Sequence, residues 1–363
     1  MSGAPPPVIG HNVTVHISND WTAAMEHDRG RAPNIRDVAR AAGVSYQTVS
    51  RVLNQSPRLR PETRDRVLAA IDELGYRPNQ AARALVTSRS GVIGVLVATR
   101  VAAYGVQTML YEIEEAARQA GYRIAMMTTA SDDESLRGTL DQLIAQAVEA
   151  VVVVAPQSRV FDALVASDLR VPFVLLDSLQ RDVGHSVGVD QFEGARLATR
   201  HLIDLGHREI LHIAGPQDWI EAEARMQGYL REMSDADLYV RPPILGDWSA
   251  EFGYRVGREL MQRADFTAVV SSNDLMALGL MHAFREVGLR VPADISIVGF
   301  DDVPEAAHYF PPLTTIRQDF AEVGRRALAL LLAELGSGAE RPVGLIRPQL
   351  VLRSSTGAPG VSL

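Results

Sequence analysis

The stretch 43-GVSYQTVSRVLN-54 contains one Arg and no acid, in a chain that carries 36 basic and 44 acidic side chains. At helical spacing Val49, Val52 and Leu53 face one way, and Tyr46, Gln47, Ser50 and Arg51 face the other. These polar groups suit recognition of base edges. Arg can fork onto guanine O6 and N7, and Gln onto adenine, while acids would repel phosphate. A helix that reads the major groove must expose such groups near its N-terminus. On these residues alone, a solvated face of a small helical bundle stays open as the bland reading.

A second set of chemistry-bearing residues lies at strand ends and in loops of the long remainder. Asp177 ends PFVLLD, Arg225 follows AGPQDWIEAEA, Trp248 sits in GDWSA, Asn273 in SSND and Asp301 in GFDD. Carboxylates, amides and Arg offer planar forks to vicinal hydroxyls, and an aromatic face suits the C–H side of a sugar. Each has a plain alternative: Asp177 as a turn residue, Asn273 and Asp274 as helix caps, Trp248 as core, Arg225 as surface. Catalysis finds little support. His185, His201, His207 and His212 lack ligand spacing such as HExxH, and no phosphate loop or nucleophile elbow occurs. With no Cys, disulfides, thiolate metal sites and a Cys nucleophile are excluded. No catalytic residue, metal or cofactor is expected.

The elements that must position these residues fall into two textures. Residues 34–90 read as short helices: one carrying Ile35, Val38, Ala39 and Ala42, a break at Gly43, a second helix capped by Ser45, and a third from Pro61 with Val67, Leu68, Ile71 and Leu74, closed by Gly75. Two helices joined by a Gly turn with a third behind form a helix-turn-helix. From residue 92, apolar strands (92–98, 122–128, 150–155, 172–177, 209–215, 267–272, 295–300) alternate with amphipathic helices. This is the texture of parallel sheets buried on both faces. Its length suits two lobes, with the chain passing from the first to the second near 188-GVDQFEG-194. Residues 31–90 hold 11 Arg and 5 acids, +6, and residues 1–30 hold 1 Arg and 3 acids, −2. Residues 91–363 are then −12 of the total −8. A basic head on an acidic body suggests that the head meets a polyanion. No apolar run approaches membrane-spanning length, and the N-terminus lacks a signal-peptide pattern, so no membrane partner and a cytoplasmic location are expected.

The segments 34-NIRDVARAAGVSYQTVSRVLNQ-55 and 61-PETRDRVLAAIDELGYRPNQAARAL-85 resemble the headpiece of the lac repressor/galactose repressor family of bacterial transcription regulators. The resemblance continues through 246-GDWSA-250, 271-SSNDLMALG-279, 293-ADISIVGFDD-302 and 310-FPPLTTIRQDF-320, and covers about residues 34–355. It implies an α/β fold: an N-terminal helix-turn-helix headpiece plus a two-lobed, periplasmic-binding-protein-like core of parallel sheets flanked by helices. The implied domains are a disordered extension (1–32), the headpiece (33–78), a hinge helix and linker (79–90), an effector-binding and dimerisation core (91–355) and a disordered tail (356–363).

The resemblance also assigns roles. Ser45, Tyr46, Gln47, Thr48, Ser50, Arg51 and Asn54 would bind DNA, joined by the hinge residues Asn79, Ala82 and Leu85, with Leu85 wedged into the minor groove. Arg225, Asn273 and Asp301 would bind sugar hydroxyls and Trp248 would stack on the ring. Asp177 and Gln318 would be close by, and Ala98 at the cleft mouth. Arg36 and Arg60 depart from the family pattern and add charge near phosphate. The end 354-SSTGAPGVSL-363 has no leucine heptads, so a homodimer is expected on a pseudo-palindromic operator. The implied function is a repressor whose operator affinity responds to a sugar, a galactoside first and another glycoside second. The alternatives are a ligand acting as corepressor and a sugar-binding transport component.

Overall fold

A computed structural model describes residues 33–53, 59–77, 89–98, 104–130, 132–155, 157, 160, 169–176, 186–261, 265–336, 338, 341–342 and 344–360. The chain divides into two compact units, Met1–Val86 and Thr87–Leu363.

Among the described residues of the first unit, three helices enclose one small core: α1 (Ile35–Ala41), α2 (Tyr46–Leu53) and α3 (Pro61–Glu73). Asn34 starts α1 with a capping box, its Oδ1 accepting from Asp37 N while Asp37 accepts from Asn34 N. The turn into α2 runs through Gly43 at φ +62, a backbone conformation that a Cβ disfavours. Ser45 caps α2 as the sequence predicts, its Oγ accepting from Thr48 N at 3.1 Å. Val38, Ala39, Val49, Val52 and Val67 are buried together. Leu68 departs from expectation and is exposed, because the inner face of α3 is completed by Val67, Ala70 and Ile71. Arg60 precedes α3 without a side-chain cap.

The second unit holds two sheets. The first lobe contains β1 (Val92–Val97), α4 (Val106–Gln119), β2 (Arg123–Thr128), α5 (Asp133–Ala145), β3 (Ala150–Val154), β4 (Phe173–Leu176) and β5 (Ser186–Val187). Its strands are parallel in the order β2-β1-β3-β4-β5. The second lobe contains α6 (Gln191–Asp204), β6 (Ile210–Ala214), α7 (Ile220–Asp235), β7 (Ile244–Leu245), α8 (Ala250–Leu260), β8 (Ala268–Ser271), α9 (Asp274–Glu286), β9 (Ser296–Asp301) and β10 (Thr314–Arg317). After it, α10 (Phe320–Glu334) returns to the first lobe and β11 (Gln349–Val351) to the second. The second sheet runs β11-β10-β9-β8-β6-β7, parallel except for β10 with β11.

Alternate strand residues feed opposite faces, as the two-residue period requires. In the first lobe Ile93, Val95 and Val152 pack with α4 and α10, while Leu96, Val151 and Val153 pack with α5. In the second lobe Val270 and Val298 pack with α6 and α7, and Val269 and Ile297 with α8 and α9.

The chain crosses between lobes near 188–190 as predicted, and twice more. It returns through Gln318–Asp319 into α10, whose Val323, Ala327 and Leu331 close the first lobe's core, and leaves again past Ile346. Val189 and Ile346 pair side by side, with Asp190 N donating to Ile346 O and Ile346 N to Gly188 O, both at 2.9 Å. The terminal residues 356–360, expected to be disordered, are held in the second lobe. Gly357 N donates to Ser296 Oγ, and Gly357 O accepts from the His207 ring at 2.9 Å. Among the described residues no helix is long and apolar enough to cross a membrane.

Candidate functional site

The helix α2 presents its polar side as the sequence predicts. Val49 and Val52 are buried, whereas Ser45, Tyr46, Gln47 and Arg51 are exposed and Thr48 and Ser50 half-buried. Tyr46 is 55 % exposed, more than a core tyrosine allows. Thr48 Oγ1 lies 3.0 Å from Ser45 Oγ, so these two hydroxyls partly occupy each other at the helix start. Asn54 and the hinge residues Asn79, Ala82 and Leu85 lie outside the described residues.

A cavity of about 320 Å³ opens at the C-terminal ends of the strands of both lobes in the second unit. Such crevices are where open parallel sheets bind ligands. Its two walls differ in chemistry. The first-lobe wall is mostly apolar, made by Val106, Met109, Val154, Leu176 and Val187 with Phe320 and Val323 of α10, and the Tyr104 phenol is its polar side chain. The second-lobe wall carries Gln191, Arg225, Asn273, Asp301 and Gln318 beside Trp219 and Trp248.

Four polar side chains of this wall close a ring. Arg225 Nε donates to Gln191 Oε1 at 2.8 Å, Gln191 Nε2 to Gln318 Oε1 at 2.6 Å, and Gln318 Nε2 to Asp301 Oδ1 at 2.6 Å. Arg225 Nη2 completes the ring to the same Asp301 oxygen at 3.4 Å, and Nη1 donates to Ser272 O. The guanidinium lies 3.9 Å from the Phe300 ring centroid, a cation–π contact with its hydrocarbon stem removed from water. Arg225 is therefore no surface arginine; it is 5 % exposed. Burial drives the Asp301 carboxyl up to about 6 against the pull of Arg225. Burial also depresses Arg225, but an arginine does not give up its proton in a protein, so Asp301 is the partner that titrates.

Asn273 does two jobs with one amide. Its Oδ1 accepts from Met276 N at 2.8 Å, capping α9, and its Nδ2 donates to Trp248 O at 2.9 Å. Asp274, expected to share the capping, is instead fully buried. Its Oδ1 accepts from Thr315 Oγ1 and its Oδ2 from Val303 N, tying α9 to β10 and to the turn after β9. Burial, with Asp301 nearby, pushes it up to about 8. Trp248 packs edge-on against Trp219, ring centroids 5.5 Å apart. A Cβ at Gly215 would run into its indole, so a glycine is needed there. Trp248 at φ 72 and Asp301 at φ 111 hold left-handed backbone without being glycine, strain that concentrates at functional sites.

Of the residues expected at this site, Arg225, Trp248, Asn273, Asp301 and Gln318 line one cavity. Ala98 does not. It is fully buried in the first lobe's core, because its side chain falls on the α5 face of the sheet with Leu96 and Leu136. Asp177 lies outside the described residues. Sequence reasoning missed Gln191, Trp219, Phe320 and Tyr104. Gln191 lies in the crossing stretch GVDQFEG, and Trp219 just past a strand end, which are the signals that could have found them. His207 and His212 are structural. The His207 ring bonds Thr267, Ser296 and Gly357, and His212 stacks on Tyr229 at 4.8 Å. Among the described residues no cluster could hold a metal ion.

Comparison with known proteins agrees with both halves. The model of bacterial regulatory proteins, lacI family, matches residues 34–79, and that of a periplasmic binding protein-like domain matches residues 199–356. The HTH-type transcriptional repressor PurR of Pasteurella multocida (strain Pm70) is 36% identical over 327 residues, 88% of this chain and 98% of that protein. The Lactose operon repressor of Escherichia coli (strain K12) is 36% identical over 326 residues, 89% of this chain and 90% of that protein. The crystal structure of the lac repressor dimer bound to operator and the anti-inducer ONPF superposes with TM-score 0.83 at 35% identity, covering 90% of this chain and 100% of that one. A CelR–cellobiose complex gives TM-score 0.66 at 30% identity, covering 89% and 99%. The chain therefore belongs to the lacI family of bacterial regulatory proteins, as a DNA-binding transcriptional repressor with a ligand-binding core and not as an enzyme.

Proposed function

We propose that this repressor binds a pseudo-palindromic operator as a homodimer in the cytoplasm, and that a glycoside in the core cleft, a galactoside first, sets its operator affinity. The two-faced cavity carries this reading. Its polar wall offers a buried ring of carboxylate, amide and guanidinium, suited to hydroxyls. Its other wall offers mainly apolar surface, with the Tyr104 phenol as its polar side chain, suited to an aglycone. The volume lies at the small end of ligand pockets, as one sugar ring with a short substituent requires. Among the described residues, three carboxylates, Glu221, Asp247 and Asp301, line it against one cation, Arg225, which disfavours an anionic ligand. One solved relative holds cellobiose and another ONPG in the repressed state, so sugar-type ligands occur in this fold.

In this reading Arg225, Asp301 and Asn273 take hydroxyls, Trp248 stacks on the ring, and Gln318 and Asp177 support them. Ser45, Tyr46, Gln47, Thr48, Ser50, Arg51 and Asn54 form the DNA face, with Asn79, Ala82 and Leu85 in the hinge. The homodimer rests on a stripe of α9 along which Leu275 and Leu278 are exposed, continued by Arg285 over the ring of the exposed Phe310.

The test is a fluorescence-anisotropy titration on a lac-like palindromic operator, with and without o-nitrophenyl galactoside, at fixed salt. Weakened binding supports an inducer, and tightened binding the corepressor alternative. Operator binding indifferent to galactosides, cellobiose and other glycosides would discard the sugar.

A further inference from the structure

Among the described residues, the two lobes of the second unit also meet away from the three chain crossings, at a backbone bridge. It lies at the N-terminus of α7. Trp219, the residue before α7, pairs its backbone in an antiparallel bridge with Gln157, which follows β3 of the first lobe. The next residue, Ile220, is 1 % exposed, and its neighbours are not those of its own lobe. It belongs to the first-lobe cluster of Leu136, Leu140, Val153, Ala155 and Val160. The rest of α7 is anchored in the second lobe, through Ala222 on one side and Tyr229 and Met233 on the other. One helix is thus held by both lobes.

The joint adjoins the cleft. Trp219 and Glu221, on either side of Ile220, line the cavity, and Arg225 lies further along the same helix. Trp219 also braces Trp248 edge-on. Helices α5, α6, α8, α9 and α10 begin on an Asp, Ser or Asn side chain that accepts a backbone N–H. The start of α7 has no side-chain cap, since Trp219 occupies that position. Its place is set by the Ile220 plug and the backbone bridge, and any change in the spacing of the lobes at this end must draw Ile220 out of the first-lobe core.

We propose that Ile220 is a positioning residue of the cleft: seated in the first lobe's core, it fixes the distance between the two walls and carries ligand contact at Trp219 and Glu221 into the arrangement of the lobes. The coupling rests on the ligand-responsive repressor argued above; the positioning does not.

The chain has no Cys, so an introduced pair is the only thiol pair. Bridge partners in a β pairing lie within disulfide reach. In the full-length Gln157→Cys/Trp219→Cys protein we expect a disulfide to form on mild oxidation. Adding Ile220→Ala should slow it at least fivefold, Ile220→Val should restore the rate, and Leu143→Ala, a truncation in the same cluster but on α5, should leave it unchanged. No disulfide in the parent pair, or equal rates with Ile220→Ala and Leu143→Ala, would overturn the proposal. In chains with Trp219 intact, hydrogen exchange at Val160 N, which bonds Gln157 O, gives a second reading: about tenfold faster with Ile220→Ala is expected, and no change counts against the joint. If o-nitrophenyl galactoside shifts operator affinity in the parent chain, Ile220→Ala should reduce that shift at least fivefold while Ile220→Val keeps it; an undiminished shift would overturn the coupling. A parent chain deaf to the galactoside, with the cross-link rates as expected, rejects the galactoside and supports the positioning role.

Discussion

Replacing Arg225 by Ala tests whether the polar ring of the cleft is held by charge. The substitution removes the donor from Gln191 Oε1, from Ser272 O and from Asp301 Oδ1, and uncovers the Phe300 face. Breaking a buried ion pair from one side costs about 3–5 kcal/mol, because the surviving charge is left without its partner. Asp301 has an escape that a carboxylate of ordinary acidity lacks. Its pKa already stands at about 6, and Arg225 is among the groups holding it down. Without Arg225 it rises further, and the variant takes up a proton that the parent does not.

The sign follows from the direction of that shift. A carboxyl whose folded pKa is raised costs stability above that pKa, and the cost is relieved as pH falls through it toward the unfolded value. The variant begins to recover at its own higher pKa, the parent only near 6. The stability gap should therefore be widest at about pH 8 and narrow on the way to pH 6, by up to ~1.4 kcal/mol per pH unit. Below that it should be flat. Urea unfolding of the core, followed by the emission of Trp219 and Trp248, measures the gap. Arg225→Ala/Asp301→Asn should lose the part of the pH dependence that belongs to Asp301, leaving the titration of Asp274, and recover part of the stability. A gap constant from about pH 8 to pH 6, with the double variant no better than the single, would refute charge as what holds the ring.

Three further outcomes are expected. Arg51→Ala should lose about 1–3 kcal/mol of discrimination at one G·C pair in an operator-variant panel; unchanged specificity would restrict Arg51 to phosphate. His212, buried against Tyr229, is depressed from 6.5 to about 4, so the stability it protects is full above 6.5 and falls away as pH drops toward 4. The loss amounts to at most ~3 kcal/mol, and His212→Phe should remove that part of the acid slope in unfolding curves. Asn273→Asp keeps the oxygen that caps α9 but loses the donor to Trp248 O. It should lower thermal stability by about 1–3 kcal/mol, since the Trp248 carbonyl is left without its donor, and change the ligand response of the operator titration; an unaffected response would make Asn273 a cap alone.

What was legible in the sequence was local. The exposed polar face of α2, its Ser45 cap, the first crossing and the seven apolar strands are patterns within a few residues, and the structure contains them. The short strands β5 and β7 are two residues each, and β10 reads Thr-Thr-Ile-Arg, so none offers an apolar run. The return of α10 to the first lobe could not be read, although its helical period is plain. Periodicity says that a face is buried but not against which sheet, and α10 lies over 130 residues beyond the strands it covers. The same limit applies to the site. Arg225 looks like a surface arginine in its own helix; what buries it is Gln191, 34 residues before, and Asp301, 76 after. The linkage Gln191–Gln318 spans 127 residues and both ends lie at chain crossings. Asn273 shows where reading by residue type misleads. Cap and cleft residue were weighed as alternatives, yet an amide has an acceptor and a donor, and here the acceptor starts α9 while the donor fixes the backbone of Trp248 at its left-handed φ. The cap and the aromatic wall are held by opposite ends of one side chain, so the cleft inherits its rigidity from the helix start.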